Sequence, residues 1–430
     1  MHHPATIEAV ITQVDAAADE AVAFAADLIR IPTVNPPGDA YDECAHAVGD
    51  RLLRCGFEVA YHTATQRAEH TTTHPRVNVV GVRPGRHPRP CLHLNGHIDV
   101  VPPGDGWTRD PFGGVILDGR LYGRGAADMK TGLVAAIYAT EAVRRAGIML
   151  DGTVEISGTV DEESGGEAGV AWLAEQRVIN AARTDYVIIP EPFGIDRICV
   201  GHRGVYWAEI VTTGRVAHGS MPFLGVSAVE PMAAIVERFR TELRPSLAAH
   251  VTVMPVVPSG ARHATLNVNT IEGGQSGQAG QTPCVPDRCR LVVDRRFLIE
   301  ESLDDVRQEL RDVLDTTLSL FPGVEYTLED RLVVEPVQTA DEAPVVEAVR
   351  SAVSSVVGRD AELVASPGTY DHKHVTRIAG ITQCVAYGPG RLELAHQPDE
   401  WCDIEDFVSA MKVLALATLR LVGAPADRRE

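Results

Sequence analysis

The sequence lacks the features that mark membrane-spanning and nucleic-acid-binding proteins. Its most apolar stretch, near Phe407 to Val422, is interrupted by Lys412 and Arg420, which predicts an amphipathic helix rather than a membrane span. Basic residues are outnumbered: 39 Lys and Arg stand against 59 Asp and Glu, which gives a net charge of −20. Because an acidic surface repels a phosphate backbone, we expect neither a membrane nor a nucleic acid as a partner.

Cysteine motifs are absent as well. The eight cysteines are scattered without a CxxC pair, and the N-terminal segment MHHPATIEAVITQVDAAADE has neither a basic region nor an apolar one. In a chain of this size the pattern predicts reduced, mostly buried thiols rather than a disulfide framework. Since no secretory signal is recognised, we expect a cytoplasmic protein.

What is present is an alternation of strand and helix patterns. It runs up to residue 204 and returns after residue 323, which indicates an α/β domain with parallel strands. Between these parts the patterns predict a small α+β sandwich, in which Gly273 to Pro283 forms a flexible Gly/Gln-rich loop. We therefore expect a discontinuous domain of residues 1–204 and 324–430 and an inserted domain of residues 205–323.

Several ligand-type side chains follow directly after predicted strands of the first domain. In α/β sheets, ligands collect at the carboxyl ends of the strands. One such residue could arise by chance, but five on successive strands indicate a shared site. These residues are His97, Asp99, Glu162, Glu163 and Glu191.

The residue types suit a pair of divalent metal ions. Asp128 lies in a Gly-rich turn after a hairpin, and a carboxylate there can bridge two ions. Asp99 lies two residues from His97, on the same face of an extended segment, where it can accept the second imidazole N–H. Each residue also has a structural interpretation on its own: Asp128 as a helix N-cap, Glu191 as a turn residue between two prolines, and the adjacent Glu pair as solvated surface.

The combined motifs closely resemble one family. GHIDVVPPGDGW, GRGAADMKTG, TVDEESGG, IPEP, GPG and AHQPDEW are similar to the co-catalytic metallohydrolases that include acetylornithine deacetylase, succinyl-diaminopimelate desuccinylase, carboxypeptidase G and aminoacylase. The resemblance covers nearly the whole chain. It implies an α/β, mixed-sheet, di-metal hydrolase catalytic domain with an inserted α+β sandwich that acts as a lid and dimerisation domain.

The resemblance also implies roles for individual residues. It places His97, Asp128 and Glu191 around one metal ion, and Asp128, Glu163 and His396 around the other. Glu162 would be the general base, and Asp99 the partner of His97. Zinc is the expected metal, with cobalt and manganese as alternatives.

The inserted domain carries further matches. GRVAHGSMPFLGVSA resembles the stretch that places a His in the active site of the other subunit, so His218 would stabilise the oxyanion; otherwise it is a surface His. TLNVNTIEGG resembles a lid strand, in which Asn269 would bind the substrate. Arg296 in DRRF either binds a substrate carboxylate or forms an ordinary ion pair with Asp294.

One segment departs from the family pattern. Where the family has GT-x-D-x-R at the α-carboxylate end of the substrate, this chain has Gly368-Thr369-Tyr370-Asp371-His372-Lys373. Lys373 would bind an anion as a point charge, without the two-pronged geometry of Arg. Gly368 and Lys373 are therefore predicted substrate-binding residues, and an unusual substrate carboxylate or an aromatic acid stays open.

The expected function is hydrolysis of a C–N bond. The resemblance implies that a water bridging two metal ions attacks the acyl carbon of an N-acyl amino acid, with Glu162 shuttling the proton. The alternatives are cleavage of a small peptide and cleavage of an aromatic-acid C–N bond on the same scaffold. A non-catalytic binding protein would lack a ligand or the base, and this sequence retains all of them.

Overall fold

The computed structural model of the chain describes residues 4–276 and 283–424. The helices are α1 (Pro4–Arg30), α2 (Tyr41–Arg54), α3 (Lys130–Arg145), α4 (Trp172–Glu175), α5 (Val229–Arg238), α6 (Arg244–Leu247), α7 (Leu303–Leu318), α8 (Pro344–Val357), α9 (His372–Arg377) and α10 (Ile404–Val422). The first strands are β1 (Glu58–Thr63), β2 (Val77–Arg83), β3 (Cys91–His97), β4 (Val115–Leu117), β5 (Arg120–Tyr122), β6 (Thr153–Thr159), β7 (Tyr186–Ile189) and β8 (Arg197–His202). The later strands are β9 (Gly204–Thr213), β10 (Thr265–Gly274), β11 (Arg288–Phe297), β12 (Glu325–Val334), β13 (Val337–Gln338), β14 (Glu362–Ser366), β15 (Cys384–Ala386) and β16 (Trp401–Asp403).

The chain divides into two compact units. The first consists of Met1–Gly201, Thr339–Val364 and Tyr370–Glu430. The second consists of His202–Gln338 and Ala365–Thr369. The second unit is larger than the predicted 205–323 segment, because β12 pairs with β9 and therefore belongs to its sheet.

The first unit is built on a mixed sheet, which confirms the predicted α/β class. The strand order is β1-β2-β6-β3-β7-β15-β8, with β14 beside β8. The middle of the sheet is parallel, since β3 pairs in parallel with both β6 and β7, and β7 with β15. These short strands are buried along their length, as expected for strands covered on both faces.

The register of the parallel strands decides which residues meet at the edge of the sheet. His97, the last residue of β3, lies opposite Thr159, the last residue of β6. On the other side Leu94 lies opposite Ile188, and continuing that register places Glu191 opposite His97. The loops that follow β3, β6 and β7 are far apart in the sequence, but they start side by side at the same edge of the sheet.

A buried lysine connects two of the helices. Lys130 opens α3 and is fully buried, and its Nζ donates to the carbonyl oxygens of Leu28 at 2.9 Å and Ile31 at 2.8 Å. These carbonyls belong to the C-terminal end of α1, where a cation satisfies unpaired acceptors and interacts well with the helix dipole. The helix that follows Asp128 is thus held at its first residue.

The second unit has an antiparallel sheet in the order β10-β11-β9-β12. Alternate residues of β11 point inward, and the apolar ones pack with α5 and α7 in one core. Arg295 occupies an inward position and is fully buried, and it is neutralised by Glu301 and Glu309. The predicted Gly273 to Pro283 loop lies largely outside the described residues, because 277–282 are not among them, and Gly273 and Gly274 end β10.

Two further expectations can be compared with the structure. Seven of the eight cysteines are buried, as predicted, and Cys284 is half-buried. Among the described helices, none combines the length and the apolar composition that crossing a bilayer requires.

Substitution of Gly132 by Ala will test the contact that sets the end of β7. A Cβ at Gly132 in α3 would lie 2.0 Å from the carbonyl oxygen of Pro190, so the backbone must shift. Gly to Ala in a helix normally stabilises by roughly 1 kcal/mol. Here we expect a net loss of about 1–3 kcal/mol in the free energy of unfolding, measured by chemical denaturation, because overpacking outweighs the helix propensity.

The matched control is Gly260→Ala. No atom lies within 4 Å of a Cβ built at Gly260, so the free energy of unfolding should hardly change. Equal stability of the two variants would contradict a rigid contact between α3 and Pro190.

Candidate metal centre

The ligand-type residues predicted from the sequence meet at the carboxyl edge of the first unit's sheet. His97 ends β3, Glu163 lies in a short 3-10 turn after β6, and Glu191 follows β7 by two residues. Asp128 precedes α3, and His396 lies in the loop between the turn at Leu392–Leu394 and β16. The structure brings all five together.

Asp128 lies between the two histidines. Its Oδ1 is 3.0 Å from Nε2 of His97, and its Oδ2 is 3.5 Å from Nε2 of His396. Each oxygen therefore faces a different imidazole. This is the arrangement that a carboxylate needs to bridge two cations.

Each side of Asp128 has a further carboxylate. Oε1 of Glu191 is 4.0 Å from Nε2 of His97, and Oε2 of Glu163 is 3.1 Å from Nε2 of His396. Two groups of three side chains result, and within each group the candidate ligand atoms lie within 4.8 Å of one another. The groups are His97, Asp128 and Glu191, and Asp128, Glu163 and His396.

The tautomer of His97 is set by the segment that follows it. Its Nδ1 lies 2.9 Å from the backbone carbonyl of Asp99 and 3.6 Å from the Asp99 carboxylate. An N–H donated to that carbonyl leaves Nε2 as the nitrogen that could bind a metal ion, once it gives up the proton that it donates to Asp128 in the metal-free protein. Asp99 is thus beside His97 as predicted, but the nearer acceptor is its main-chain oxygen.

The carboxylate of Asp99 has a different set of partners. It accepts the backbone N–H groups of Glu162 at 3.2 Å and Glu163 at 3.1 Å, and the side-chain amide of Asn35 at 2.9 Å. Asp99 is fully buried. It therefore fixes the turn that presents both glutamates.

Crowding of carboxylates shifts the acid–base properties of the site. Burial and the nearby Asp128 charge raise the pKa of Glu191 well above its ordinary value, and burial is also the main cause that raises the pKa of Glu163. Burial raises the pKa of Asp128 too, but hydrogen bonds with His396 and His97 outweigh it and hold that pKa below its usual range. Hydrogen bonds to Asp128 and Glu163 raise the pKa of His396 to about 10.

These residues fit divalent metal ions in both chemistry and geometry. Oxygen and imidazole donors are the ligands that zinc, cobalt and manganese accept. Oε1 of Glu163 is buried and has no hydrogen-bond partner among the described residues, which is costly unless a cation binds it. Raised carboxyl pKa values in one cluster likewise indicate an excess of negative charge that cations would neutralise.

Glu162 faces a different environment from Glu163. Its Oε1 lies 3.9 Å from Nζ of Lys373, and both side chains are largely buried. Burial raises the pKa of Glu162 to about 8, although the Lys373 charge opposes the increase. A carboxylate with a pKa in this range, adjacent to a metal ligand, is suited to accept and return a proton near neutral pH.

Sequence reasoning did not identify two residues that lie against the turn after Glu163. Asp371 is buried, and its Oδ2 accepts the side-chain amide of Asn95 at 3.0 Å. His374 has its Nε2 2.7 Å from the carbonyl oxygen of Gly165, in the turn after Glu163. Asp371 lay within the quoted Gly368–Lys373 segment, but nothing in that motif indicated that its carboxylate points to β3.

The other predicted residues belong to the second unit. His218 is exposed, and its Nδ1 accepts the hydroxyl of Ser220 at 2.7 Å. Asn269 lies at an irregularity in the pairing of β10 with β11. Gly368 follows β14, and its backbone N–H donates to the hydroxyl of Ser366.

Arg296 also lies in this unit. Its Nε and Nη2 donate to the two carboxylate oxygens of Asp294 at 2.8 and 2.9 Å. Arg296 therefore forms the ion pair with Asp294, which is one of the two interpretations given from the sequence. Whether Arg296 also binds a substrate carboxylate stays a prediction.

Comparison with known proteins gives matches over most of the chain. Residues 93–420 match the model of the peptidase family M20/M25/M40. The chain is 30% identical over 413 residues to a succinyl-diaminopimelate desuccinylase of Methylibium petroleiphilum, a match that covers 94% of this chain and 98% of the relative.

Solved structures show the same fold. Human carnosine dipeptidase 1 superposes with a TM-score of 0.73 at 19% identity, covering 97% of this chain and 99% of that one. The YXEP protein of Bacillus subtilis, a dinuclear metal-binding peptidase, superposes with a TM-score of 0.69 at 17% identity, covering 95% and 99%. The family match spans more than half of the chain, so the chain belongs to the peptidase family M20/M25/M40 and is a metal-dependent amidohydrolase.

Proposed function

We propose that the protein removes the acyl group from an N-acyl amino acid that carries a free carboxylate, with an N-succinyl amino acid as the first candidate. The observation that carries this proposal is the position of Asp128 between two ligand triads, with Glu162 directly beside one of them. The desuccinylase relative supports the class of acyl group, since its name states that it removes succinyl from an amino acid.

The two triads are proposed to bind metal ions, and Glu162 is proposed to transfer the proton. His97, Asp128 and Glu191 would hold one divalent ion, and Asp128, Glu163 and His396 the other, with zinc as the expected metal. Ions bound there would polarise the scissile carbonyl and make a water molecule more acidic. Glu162 takes a proton from the attacking water and passes it to the leaving nitrogen.

Lys373 supplies the positive charge that a substrate carboxylate needs. It is the cation nearest to the base among the described residues, and it is largely buried, so its charge is poorly screened. As a point charge it tolerates more than one carboxylate orientation, unlike the fork of an arginine.

The second unit is proposed to complete the site in a homodimer. The exposed His218, held by Ser220, would reach the site of the partner subunit and support the oxyanion there. Asn269, Arg296 and Gly368 are proposed to contact the substrate. The burial of seven of the eight cysteines fits the proposed cytoplasmic location, where thiols stay reduced.

Metal uptake should release protons and strengthen as the pH rises. Metal ligands must be deprotonated, whereas the pKa of His396 near 10 keeps this imidazole protonated at pH 7.5 in the metal-free protein. Below that pKa the proton competes with the ion, so lowering the pH weakens metal binding. Isothermal titration calorimetry at pH 7.5 in two buffers of different ionisation enthalpy should show release of about one proton or more.

A variant controls this measurement. His396→Ala should lose part of the proton release together with one of the two bound ions. A heat of binding independent of the buffer would contradict the proposed ligand protonation.

Glu162→Gln tests the base. The amide keeps the shape but cannot accept a proton, so kcat for an N-succinyl amino acid should fall by roughly 10²–10⁴-fold. Bound metal, measured by atomic emission, should stay at the parent level because Glu162 is outside both triads. The control is Glu167→Gln, an exposed residue in the following helix, which should retain the parent rate. Turnover of Glu162→Gln at the parent rate would refute the assigned role.

Lys373→Met tests recognition of the carboxylate. We expect kcat/KM for the N-succinyl amino acid to fall about 10–100-fold, the value of a hydrogen bond to a charged group. Lys373→Arg, which keeps the charge, should lose less. A matched substrate with its carboxylates converted to amides should respond little to either change.

The same assay separates the alternative substrates. Cleavage of dipeptides or aromatic-acid amides in preference to N-succinyl and N-acetyl amino acids would overturn the proposed substrate class while leaving the chemistry intact. An equal loss for charged and neutral substrates in Lys373→Met would show that Lys373 acts on Glu162 and not on the substrate.

A further inference from the structure

We infer that the buried ion pair between Arg124 and Glu400 positions Asp128 and His396, and thereby sets the affinity of the protein for both metal ions. Neither residue belongs to a ligand triad, so each acts through its neighbours as a positioning residue. The inference rests on the proposed function.

Glu400 holds the turn that carries Asp128. Its Oε1 accepts three backbone N–H groups, from Gly125 at 3.1 Å, Ala127 at 2.8 Å and Asp128 at 3.1 Å. Glu400 is 1% exposed, so these bonds form away from water. Three donors converging on one oxygen fix the backbone of the bridging residue itself.

Arg124 holds the loop that carries His396. Its guanidinium donates to the other oxygen of Glu400 and to the carbonyl oxygens of Gln397 and His396, both at 3.3 Å. A further N–H reaches the carbonyl oxygen of Pro103 at 3.2 Å. Arg124 is also 1% exposed, so one buried cation joins the segments after β3 and before β16 to the Asp128 turn.

Burying this ion pair costs free energy, so stability alone does not explain its position. Glu400 adds a buried carboxylate to a region that already crowds Asp128, Glu163 and Glu191, and the Asp128 charge is unfavourable to it. Buried ion pairs contribute little net stability compared with apolar packing, because desolvation offsets their attraction. What the pair supplies is geometry, since its hydrogen bonds to backbone groups of both loops favour one arrangement of the two loops.

We expect substitutions of Glu400 and Arg124 to affect the two metal ions differently. Asp128 belongs to both triads, so disturbing its turn should weaken both ions, whereas His396 belongs to one triad only. Glu400→Gln removes the negative charge and replaces one of the two acceptor oxygens by an N–H₂ group, which weakens the hydrogen bonds that hold the Asp128 turn, so it should weaken both ions. Arg124→Lys keeps the charge but cannot reach all three carbonyls, so it should weaken mainly the ion bound by His396.

The experiment measures two zinc dissociation constants by chelator competition in the full-length metal-free protein. Loss of an outer hydrogen-bond partner of a metal ligand typically weakens affinity about 10–100-fold, and we expect that range for both ions in Glu400→Gln and for one ion in Arg124→Lys. Cobalt-loaded variants should also show altered visible absorption bands, which report the ligand geometry directly.

Asp185→Asn is the matched control. Asp185 likewise accepts from an arginine, Arg89, and from a backbone N–H, that of Cys91, but it lies just before β7, at the end of that strand away from Glu191. Its substitution should lower the melting temperature and leave both zinc constants within about twofold of the parent values, well under the 10–100-fold range.

The outcomes separate the inference from the proposed function. Zinc constants unchanged in both pair variants, or weakened equally in Asp185→Asn, would overturn the inference while the parent protein still binds two ions. If Glu400→Gln does not fold, the selective loss of one ion in Arg124→Lys decides the question alone. A parent protein that binds no zinc would overturn both the inference and the proposed function.

Discussion

Mutual repulsion among carboxylates is the constraint around which the first unit is arranged. Asp128, Glu162, Glu163 and Glu191 approach one another at one edge of the sheet, and burial raises the pKa of the three glutamates. A folded chain holds such groups together only if other contacts fix the backbone beneath them. Those contacts are what the surrounding structure provides: Asp99 binds the turn of the two glutamates, and Lys130 ties down the first residue of the helix after Asp128.

The same repulsion gives the residues separate chemical tasks. The two oxygens of Asp128 each face an imidazole, and these contacts hold its pKa low, whereas Glu162 faces Lys373 and burial raises its pKa to about 8. Glu162 and Glu163 are adjacent and have the same side chain. Their different neighbours suit Glu163 to bind a metal ion and Glu162 to act as a base. The positive charge of Lys373 beside Glu162 also favours binding of an anionic substrate near the reacting atoms.

Much of this arrangement could be predicted from the sequence, because each metal ligand follows a strand or a turn with a strong local pattern. The hairpin predicted before Asp128 forms as β4 and β5, and the amphipathic helix predicted near Phe407 to Val422 forms as α10, since turn residues and apolar spacing are local signals. The contacts of Asn35, Asp371 and Glu400 were not predictable in the same way. Their partners lie far along the chain, and no spacing rule states which backbone N–H a distant carboxylate will accept. The pairing of β12 with β9, which assigns β12 to the sheet of the second unit, likewise depends on register rather than composition.

The contact between Gly132 and Pro190 has a consequence for motion within the first unit. The helix that begins just after Asp128 rests, through Gly132, on the residue directly before Glu191. A small displacement of the N-terminal turn of this helix must carry both carboxylates in the same direction. Thermal sliding of this helix over the sheet therefore leaves the distance between the Asp128 and Glu191 carboxylates nearly unchanged.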